Sequence, residues 1–371
     1  MPSLGSILER PPDHFTSAAY GLLYFPEILG AILSASSARF IHRRFGDRVL
    51  FRLGIVCNLL GLALLTSAYF AGSSTAYNLI LIDSIFLGVG FGLTSTAINH
   101  LAAMLFEQSA TRAITILNAV IGGATALSPL LLGLATRPIG WFAWPLVLLL
   151  FWIGLLLLPT AVPSKPLSGQ PDPRRFPALA VAAVMIYAIV EGSFGSWASV
   201  FVSVNHHFAP ALGALALSSF WASMTLARLV LGGLPDRLLS RRSTYLAAPF
   251  GIAACFLALP WLTTVWALIA VFGLAGIATS IYYPYSMAYA LSAEPGQTTY
   301  VAGLLVAALM IGEGIGSFGL GPLQTFVSLP DLYLASALWT IPLFILAWHL
   351  SRPVTRSPNR LRRSGQQSSR S

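Results

Sequence analysis

The chain has 371 residues, of which 56% are hydrophobic and only 9% are charged, and its formal net charge is +9. A soluble domain usually carries about 25% charged residues, so this composition excludes an ordinary water-soluble surface, and the apolar content excludes a disordered chain. The mean hydropathy of +0.77 is typical of a protein that crosses a membrane several times. At roughly 20 apolar residues per helical span, the chain has room for about ten to twelve spans.

Long apolar segments occur along the whole chain and predict an all-α polytopic membrane protein. They are continuous rather than alternating in polarity, which disfavours the strands of an outer-membrane barrel. We predict about eleven spans, at residues 17–38, 50–70, 77–105, 113–135, 141–158, 178–202, 211–234, 245–262, 266–291, 299–326 and 332–350.

Basic residues mark one end of this set of helices. Alternate connections and the tail contain 19 of the 21 lysines and arginines, and only Arg10 and Arg137 fall at the opposite end. Because Lys and Arg in short loops favour the cytoplasmic side, we predict a multi-pass protein of the cell membrane with a cytoplasmic C-terminus. The basic tail acts as an orientation signal on this interpretation, and it can also contact anionic lipid.

The chain repeats itself at a shift of 193 residues. The shift superimposes identical residues in five places, which are Arg44 and Arg237, Arg48 and Arg241, Gly123 and Gly316, Pro129 and Pro322, and Leu130 and Leu323. A proline-rich polar stretch at 159–173 lies between the halves and has the composition of a flexible linker. We therefore predict four regions, which are an N-terminal bundle (1–158), a cytoplasmic linker (159–177), a C-terminal six-helix bundle (178–350) and a basic tail (351–371).

The register of the repeat predicts that its first helix is largely missing from this sequence. Span 178–202 opens the second half, and its counterpart would run from 178 − 193 = −15 to 202 − 193 = 9. Parallel repeats normally come whole. We expect two pseudo-symmetric six-helix bundles with most of the first helix absent, and the alternative is a true eleven-span protein with an external N-terminus.

Two six-helix halves with a basic turn after the second helix of each half resemble the major facilitator superfamily of transporters. The second turn, Gly232-Gly-Leu-Pro-Asp236-Arg237-Leu-Leu-Ser-Arg241-Arg242, is similar to that family's G-x-x-x-D-R-x-x-x-R-R signature. The first copy departs from it, because Arg43 stands at the usual position of the aspartate. The resemblance implies a conformational-switch loop formed by Arg44, Gly46, Arg48, Gly232, Asp236, Arg237 and Arg241.

Further segments resemble the fucose-permease-like branch of that family. They are Phe86–Leu93 with Asn99, Tyr187–Trp197 with Glu191, and Ser280–Pro284. That branch often carries an acid at the position of Ser95, so the proton site that the resemblance would imply there is absent from this sequence.

Acidic residues inside apolar spans are the strongest candidates for functional groups. They are Glu27, Asp83, Glu191 and Glu313. An acid at mid-bilayer is costly and usually faces the interior of the bundle or a water-filled cavity. A carboxyl that is alternately dry and wet changes its protonation, which is the property that a proton-coupled carrier needs. We select Glu27, Glu191 and Glu313 for a substrate or proton site, because Asp83 lies near the outer end of its span; the alternative is a protonated acid bonded to a neighbouring helix.

The other candidates for the substrate site are Asn99, Asn118, Trp197 and Tyr283. The two aromatic residues could stack on a sugar or a hydrophobic substrate, or they could belong to the interfacial aromatic belt. The two asparagines could bind a solute or form hydrogen bonds that join helices.

One arginine also lies inside an apolar span. Arg228 falls near the basic end of span 211–234. We expect its side chain to extend toward the interface or to pair with Asp236.

The leading hypothesis is a secondary active transporter that moves a small solute, such as a sugar or another small organic molecule, by alternating access, with or without proton coupling. The sequence contains no Walker phosphate loop, no His-Glu-x-x-His motif and no Gly-x-Ser-x-Gly motif, and its six histidines are scattered. We therefore predict no enzyme activity, no cofactor and no bound metal. The alternatives are a transporter-derived sensor or inactive relic, a membrane-embedded enzyme and a channel. The expected partners are the solute, protons and the lipid bilayer; we expect a monomer that binds no nucleic acid.

Overall fold

The computed structural model describes residues 23–136, 140–157, 177–234, 240–294, 297–324 and 326–352, and these ranges are almost entirely helical. Residues 158–176, which contain most of the predicted linker, lie outside the described part of the chain. So do the first 22 residues, the tail beyond residue 352, and Asp236 and Arg237 of the predicted switch loop.

The described part of the first half contains α1 (Tyr24–Ala68), α2 (Ser73–Leu105), α3 (Ala110–Thr136) and α4 (Ala143–Leu157). Helix α1 is broken at Gly46, whose φ of 80° and ψ of 176° are not helical. A positive φ carries little steric cost only for glycine, so this residue permits the sharp reversal between two consecutive spans. The first segment of α1 continues to this break, past the predicted end at residue 38.

The second half contains α5 (Ala178–Val200), α6 (Pro210–Gly233), α7 (Arg241–Ala258), α8 (Val265–Thr279), α9 (Tyr282–Ala293), α10 (Thr298–Leu323), α11 (Leu329–Ser336) and α12 (Thr340–Leu350). A π-helical turn, Phe201–Asn205, extends α5. The predicted span 332–350 is divided by the 3-10 turn Ala337–Trp339.

The predicted span 266–291 is also divided, between α8 and α9. Pro284 has no backbone N–H, so it cannot donate to the carbonyl of Ser280 four residues earlier. The break at Ser280 and Ile281 therefore leaves a backbone acceptor available for another donor.

Nine helices of the described chain are long and apolar enough to cross a membrane, and Ala143–Leu157 is a shorter apolar helix. The longest of the nine, Phe25–Ala68, has 44 residues and is divided in two at Gly46. The chain is thus a multi-pass membrane protein, and its helices agree with the predicted total of about eleven spans.

Glycines in α2 bring its backbone against both segments of α1. A Cβ at Gly88 would overlap the carbonyl of Glu27, on the first segment. A Cβ at Gly90 would overlap the side chain of Asn58, on the second segment. Small residues permit this close approach of helices in a membrane, where polar surface is costly and packing supplies the attraction.

Among the described residues, two helix pairs make the most extensive contacts between the halves. The first segment of α1 packs on α10, and α3 packs on α6. Adding 193 to residues 110–136 of α3 gives 303–329, which overlaps α10, and adding 193 to residues 24–46 of α1 gives 217–239, which overlaps α6. The shift therefore exchanges the two interfaces, as a parallel repeat with two similar halves requires.

Candidate functional site

A buried ion pair lies between α5 and α6. Atom Oε1 of Glu191 is 3.6 Å from Nη2 of Arg228, and each residue is 6% exposed. Tyr187 lies one turn before Glu191, on the same face of α5. Its hydroxyl donates to Glu191 Oε1 at 2.8 Å and accepts from Arg228 Nη2 at 3.3 Å. These three side chains form one hydrogen-bonded unit, the Glu191 cluster.

Arg228 connects this cluster to two other places in the bundle. Its Nε donates to the Ser280 carbonyl at 2.8 Å, which is the acceptor that Pro284 leaves available. Its Nη1 donates to the carbonyl of Asn118, on α3 of the first half, at 3.4 Å. A guanidinium has five N–H donors in a planar fork, so one side chain can serve all these acceptors.

The expectation that the Arg228 side chain extends toward the interface was therefore wrong, because this side chain is buried against Glu191. The other expected partner, Asp236, lies outside the described residues. Hydropathy could not identify its partner, because Glu191 lies on another helix. The available signals were the Tyr-x-x-x-Glu spacing of Tyr187 and Glu191, which places two hydrogen-bonding groups on one helical face, and the proline that follows Ser280.

Tyrosine rings cover one side of the Glu191 cluster. The ring of Tyr187 stacks on Tyr282, with centroids 5.6 Å apart and planes at 6°. Tyr283 stacks on the same ring at 6.4 Å and 18°, and it is only 4% exposed. The structure thus places Tyr283 beside the buried acid, inside the bundle.

Glu313 and Glu27 approach the same region from the two helices of the α1–α10 interface. A Cβ at Gly192, the residue after Glu191, would lie 2.9 Å from the Glu313 carbonyl, and a Cβ at Gly314 would lie 3.8 Å from Cδ1 of Ile28, the residue after Glu27. The neighbouring Gly312 and Gly316 hold α10 against α5, because a Cβ at either would overlap a backbone carbonyl of α5. The structure brings all three selected acids together, on α1, α5 and α10.

The remaining polar candidates form hydrogen bonds with helix backbones. Asn99 Nδ2 donates to the Ser95 carbonyl at 2.8 Å, and Asn118 Nδ2 donates to the Ile114 carbonyl at 2.8 Å. Trp197 Nε1 donates to the carbonyl of Ser317, on α10, at 3.0 Å. The two asparagine side chains thus bond within their own helices, whereas Trp197 joins α5 to α10.

Residues of the predicted switch loop lie at the end of the bundle that carries Arg39–Arg52 and Arg241, which we call the basic end. Gly46 forms the break in α1, and Arg44 is exposed with its guanidinium 5.5 Å from the Phe45 ring centroid. Arg241 Nη1 donates to Thr111 Oγ1, on α3, at 3.0 Å. Arg48 is partly buried there.

Gly232 belongs to the same contact between the halves. A Cβ at this residue would lie 3.0 Å from Ile116 Cγ1, on α3. The second basic turn therefore contacts the first half directly, through both Gly232 and Arg241.

Asp83 is a buried acid on α2 of the first half. It is fully buried, and neither of its carboxylate oxygens has a hydrogen-bond partner among the described residues. A Cβ at Gly61 would lie 2.9 Å from Asp83 Oδ1, so this acid faces the second segment of α1.

The sequence matches no protein-family model and no curated protein with which it was compared. Solved structures do resemble it. A crystal structure of the major facilitator superfamily transporter FucP in the outward conformation has a TM-score of 0.76 and 18% identity, over 95% of this chain and 94% of that chain. A variant of the fucose:proton symporter FucP of E. coli has a TM-score of 0.73 and 19% identity, over 95% of each chain.

A third solved structure extends this likeness to another transporter. The proton:xylose symporter XylE, bound to 6-bromo-6-deoxy-D-glucose, has a TM-score of 0.71 and 14% identity, over 94% of this chain and 90% of that chain. At these identities the likeness concerns the fold. The chain has the fold of major facilitator superfamily transporters.

Proposed function

We propose that this protein is a secondary active transporter that moves a small solute across the cell membrane by alternating access. The Glu191 cluster carries this proposal, because it places a buried ion pair at the contact between two helical halves. In this proposal the protein acts as a monomer with a cytoplasmic C-terminus, and its partners are the solute, protons and the lipid bilayer.

A buried ion pair is not an efficient way to stabilise a bundle. Desolvating two charges is costly, and well-packed apolar residues of similar volume often give equal or greater stability. Ionisable residues inside membrane spans usually mark a substrate or ion pathway. The Arg228–Asn118 hydrogen bond also crosses between the halves, so a rocking motion of one half would break this bond and bring water to the pair.

The groups around the pair suit a sugar or a similar hydroxylated molecule. Carboxylates and a guanidinium can bond hydroxyl groups, and the rings of Tyr187, Tyr282 and Tyr283 offer flat apolar faces beside them. The compared structures include a fucose:proton symporter and a proton:xylose symporter, which supports the same substrate class and proton coupling. A carboxyl that is alternately dry and wet can take up and release a proton.

Uptake into proteoliposomes tests the proposal. We expect the purified full chain to accumulate one or more labelled monosaccharides when an inward proton gradient is imposed. The Glu191→Gln and Glu313→Gln variants should lose this accumulation, while counterflow exchange of the sugar persists in any variant that has lost only the coupling. Glu294→Gln is the matched control, because Glu294 lies between α9 and α10, outside the apolar spans.

Two results would contradict the proposal. A folded wild-type protein that shows neither accumulation nor counterflow, yet binds a sugar, would be a sensor derived from a transporter. Accumulation that is unchanged in both Gln variants would remove Glu191 and Glu313 from the coupling role.

A further inference from the structure

A second buried polar cluster lies at the basic end and has no part in the proposed transport site. His42 Nδ1 is 2.8 Å from Asp47 Oδ1, and His100 Nε2 is 3.2 Å from the same oxygen. The three residues are at most 2% exposed. The two imidazole rings meet edge to face, with centroids 5.2 Å apart.

The break in α1 creates this arrangement. His42 lies in the last turn before Gly46, and Asp47 is the first residue after it. The reversal at Gly46 turns the Asp47 carboxylate back toward His42, and α2 supplies His100 from the side. The three ligands come from three separate segments, so no short sequence motif contains them. For this reason the scattered histidines of the sequence did not indicate a metal site.

Two imidazoles and a carboxylate are a donor set that binds divalent transition metals with open coordination positions. One ligand atom from each residue lies within 4.8 Å of the others. An ion about 2.0–2.2 Å from each ligand would place those ligand atoms roughly 3–4 Å apart, so only small side-chain shifts are required.

The polar atoms of the cluster are incompletely satisfied. Among the described residues, the buried His42 Nε2 has no hydrogen-bond partner, and the buried His100 Nε2 has only its 3.2 Å contact with Asp47 Oδ1, which does not have the geometry of a hydrogen bond. When His100 carries its proton on Nδ1, the lone pair on Nε2 faces the Asp47 carboxylate. A cation between these two atoms would convert this repulsive contact into two ligand bonds.

The second half of the protein completes the arrangement. His100 Nδ1 lies 2.6 Å from the hydroxyl oxygen of Thr298, in the first turn of α10. A metal-ligating histidine normally donates its other ring N–H to a second group, which fixes the tautomer and the orientation of the ring. Thr298 is therefore placed as a positioning residue for His100, although it belongs to the opposite half.

We propose that His42, Asp47 and His100 bind a divalent transition-metal ion of the Zn²⁺ class, and that this ion stabilises the closed contact between the halves at the basic end. The three ligands belong to the first half, whereas Thr298 belongs to the second. An ion that favours the Nδ1–H tautomer strengthens the bond to Thr298, and by linkage the closed contact strengthens ion binding. Arg39 lies 5.1 Å from the Tyr300 ring centroid and joins the same two halves beside the cluster. Arg43 and Arg44 are exposed, so solvent and salt screen the effect of their charges on the cluster.

Metal binding can be measured without any transport assay. The full chain, purified with an affinity tag that contains no histidine and stripped with a chelator, is titrated with Zn²⁺ by calorimetry and with Co²⁺ by its ligand-field absorption spectrum. We expect one high-affinity ion per chain. His42→Ala, Asp47→Asn and His100→Ala should each abolish the Co²⁺ spectrum, while His207→Ala, which removes an exposed histidine, should leave it unchanged.

The Thr298 variants test the positioning role and guard against ligand variants that fail to fold. Thr298→Val should weaken Zn²⁺ binding about 10-fold, the lower range for loss of an outer partner, and Thr298→Ser should restore it. The proposal is overturned if the wild-type protein shows no Zn²⁺ binding and no Co²⁺ spectrum, or if the ligand variants bind as tightly as the wild type does.

Hydrogen exchange tests the proposed closure. Zn²⁺ should slow backbone exchange at the start of α10 and around Gly46 in the wild type, and it should have no such effect in His100→Ala. Binding without any change in exchange would overturn the closure while keeping the metal site. Because binding and exchange are measured without a solute, their failure is distinct from a failure of transport.

Discussion

The α3–α6 and α1–α10 interfaces between the halves occupy equivalent places in the repeat, yet they differ at one equivalent position. At the α3–α6 interface, Arg228 donates to the backbone of the opposite half. The residue that coincides with Arg228 under the shift is 228 − 193 = 35, which is Ala35. At the α1–α10 interface, the Ala35 carbonyl lies directly against Gly303, with no room for a side chain.

This difference shows that the pairing of helices repeats between the halves while the side chain at this position does not. Equivalent helices meet at both interfaces. The side chains at one equivalent position differ: Arg228 bonds the backbone of the opposite half, whereas the Ala35 carbonyl packs against the backbone of Gly303. Beside the α1–α10 interface, the hydrogen bond between the halves comes from the neighbouring helix α2, where His100 bonds Thr298 of α10.

The comparison is tested most strongly by removing the charge from the α3–α6 interface. Arg228→Ala leaves Glu191 buried without its cationic partner, which typically costs about 3–5 kcal/mol, and we expect a large drop in melting temperature together with loss of transport. Thermal unfolding of the detergent-solubilised protein measures the first effect. Arg44→Ala, at an exposed arginine, is the control and should change little.

A double variant sharpens this prediction. Glu191→Gln combined with Arg228→Ala should be more stable than Arg228→Ala alone, because the unpaired acid is gone. Equal melting temperatures for Arg228→Ala and Arg44→Ala would show that the ion pair is not an important link between the halves.

The second interface is tested by adding a methyl group. Gly303→Ala would place a Cβ into the Ala35 carbonyl, and overpacking of this kind costs about 1–3 kcal/mol, which opposes closure of the basic end. Gly314→Ala on the same helix is the matched control, since its Cβ would come no closer than 3.8 Å to Ile28 Cδ1. Alanine is the better helix former, by about 1 kcal/mol, so the control should be neutral or more stable.

Melting temperature and the rate of sugar counterflow measure the two glycine variants. We expect Gly303→Ala to lower both and Gly314→Ala to lower neither. If the two variants behave alike, the backbone contact at Ala35 does not govern the α1–α10 interface.

The smallest expected effect concerns the hydrogen bond between Thr111 and Arg241. Thr111→Val removes the hydroxyl that accepts from Arg241 at the basic end, which is worth about 1 kcal/mol, or about fivefold in the balance between closed and open states. Thr125→Val is the control, because this exposed threonine on α3 bonds only to the Ile121 carbonyl of its own helix. Hydrogen exchange at the start of α3 and α7 should increase for Thr111→Val alone, and an equal increase in the control would contradict the link.

The positions of the spans and of the turn at the basic end could be predicted from local sequence. Each membrane helix must satisfy its own backbone hydrogen bonds and present apolar side chains to lipid, so runs of apolar residues predict helices without knowledge of their neighbours. Gly46 was predicted within a turn, and its positive φ explains why a glycine stands there. The division at Ser280 could also have been predicted, since Pro284 removes one bond of the helix.

The partners of the polar residues were decided only by tertiary structure. Arg228 was expected to extend toward the interface, but the fold buries it against Glu191. His42 and His100 were read as unrelated, but the reversal at Gly46 and the packing of α2 place both against Asp47. Hydropathy is a sum over neighbours in the chain, whereas a hydrogen bond or an ion pair depends on which helix faces meet. Packing between distant segments decides which faces meet. The sequence alone therefore predicted the helices, and only the tertiary structure decided which polar side chains are partners.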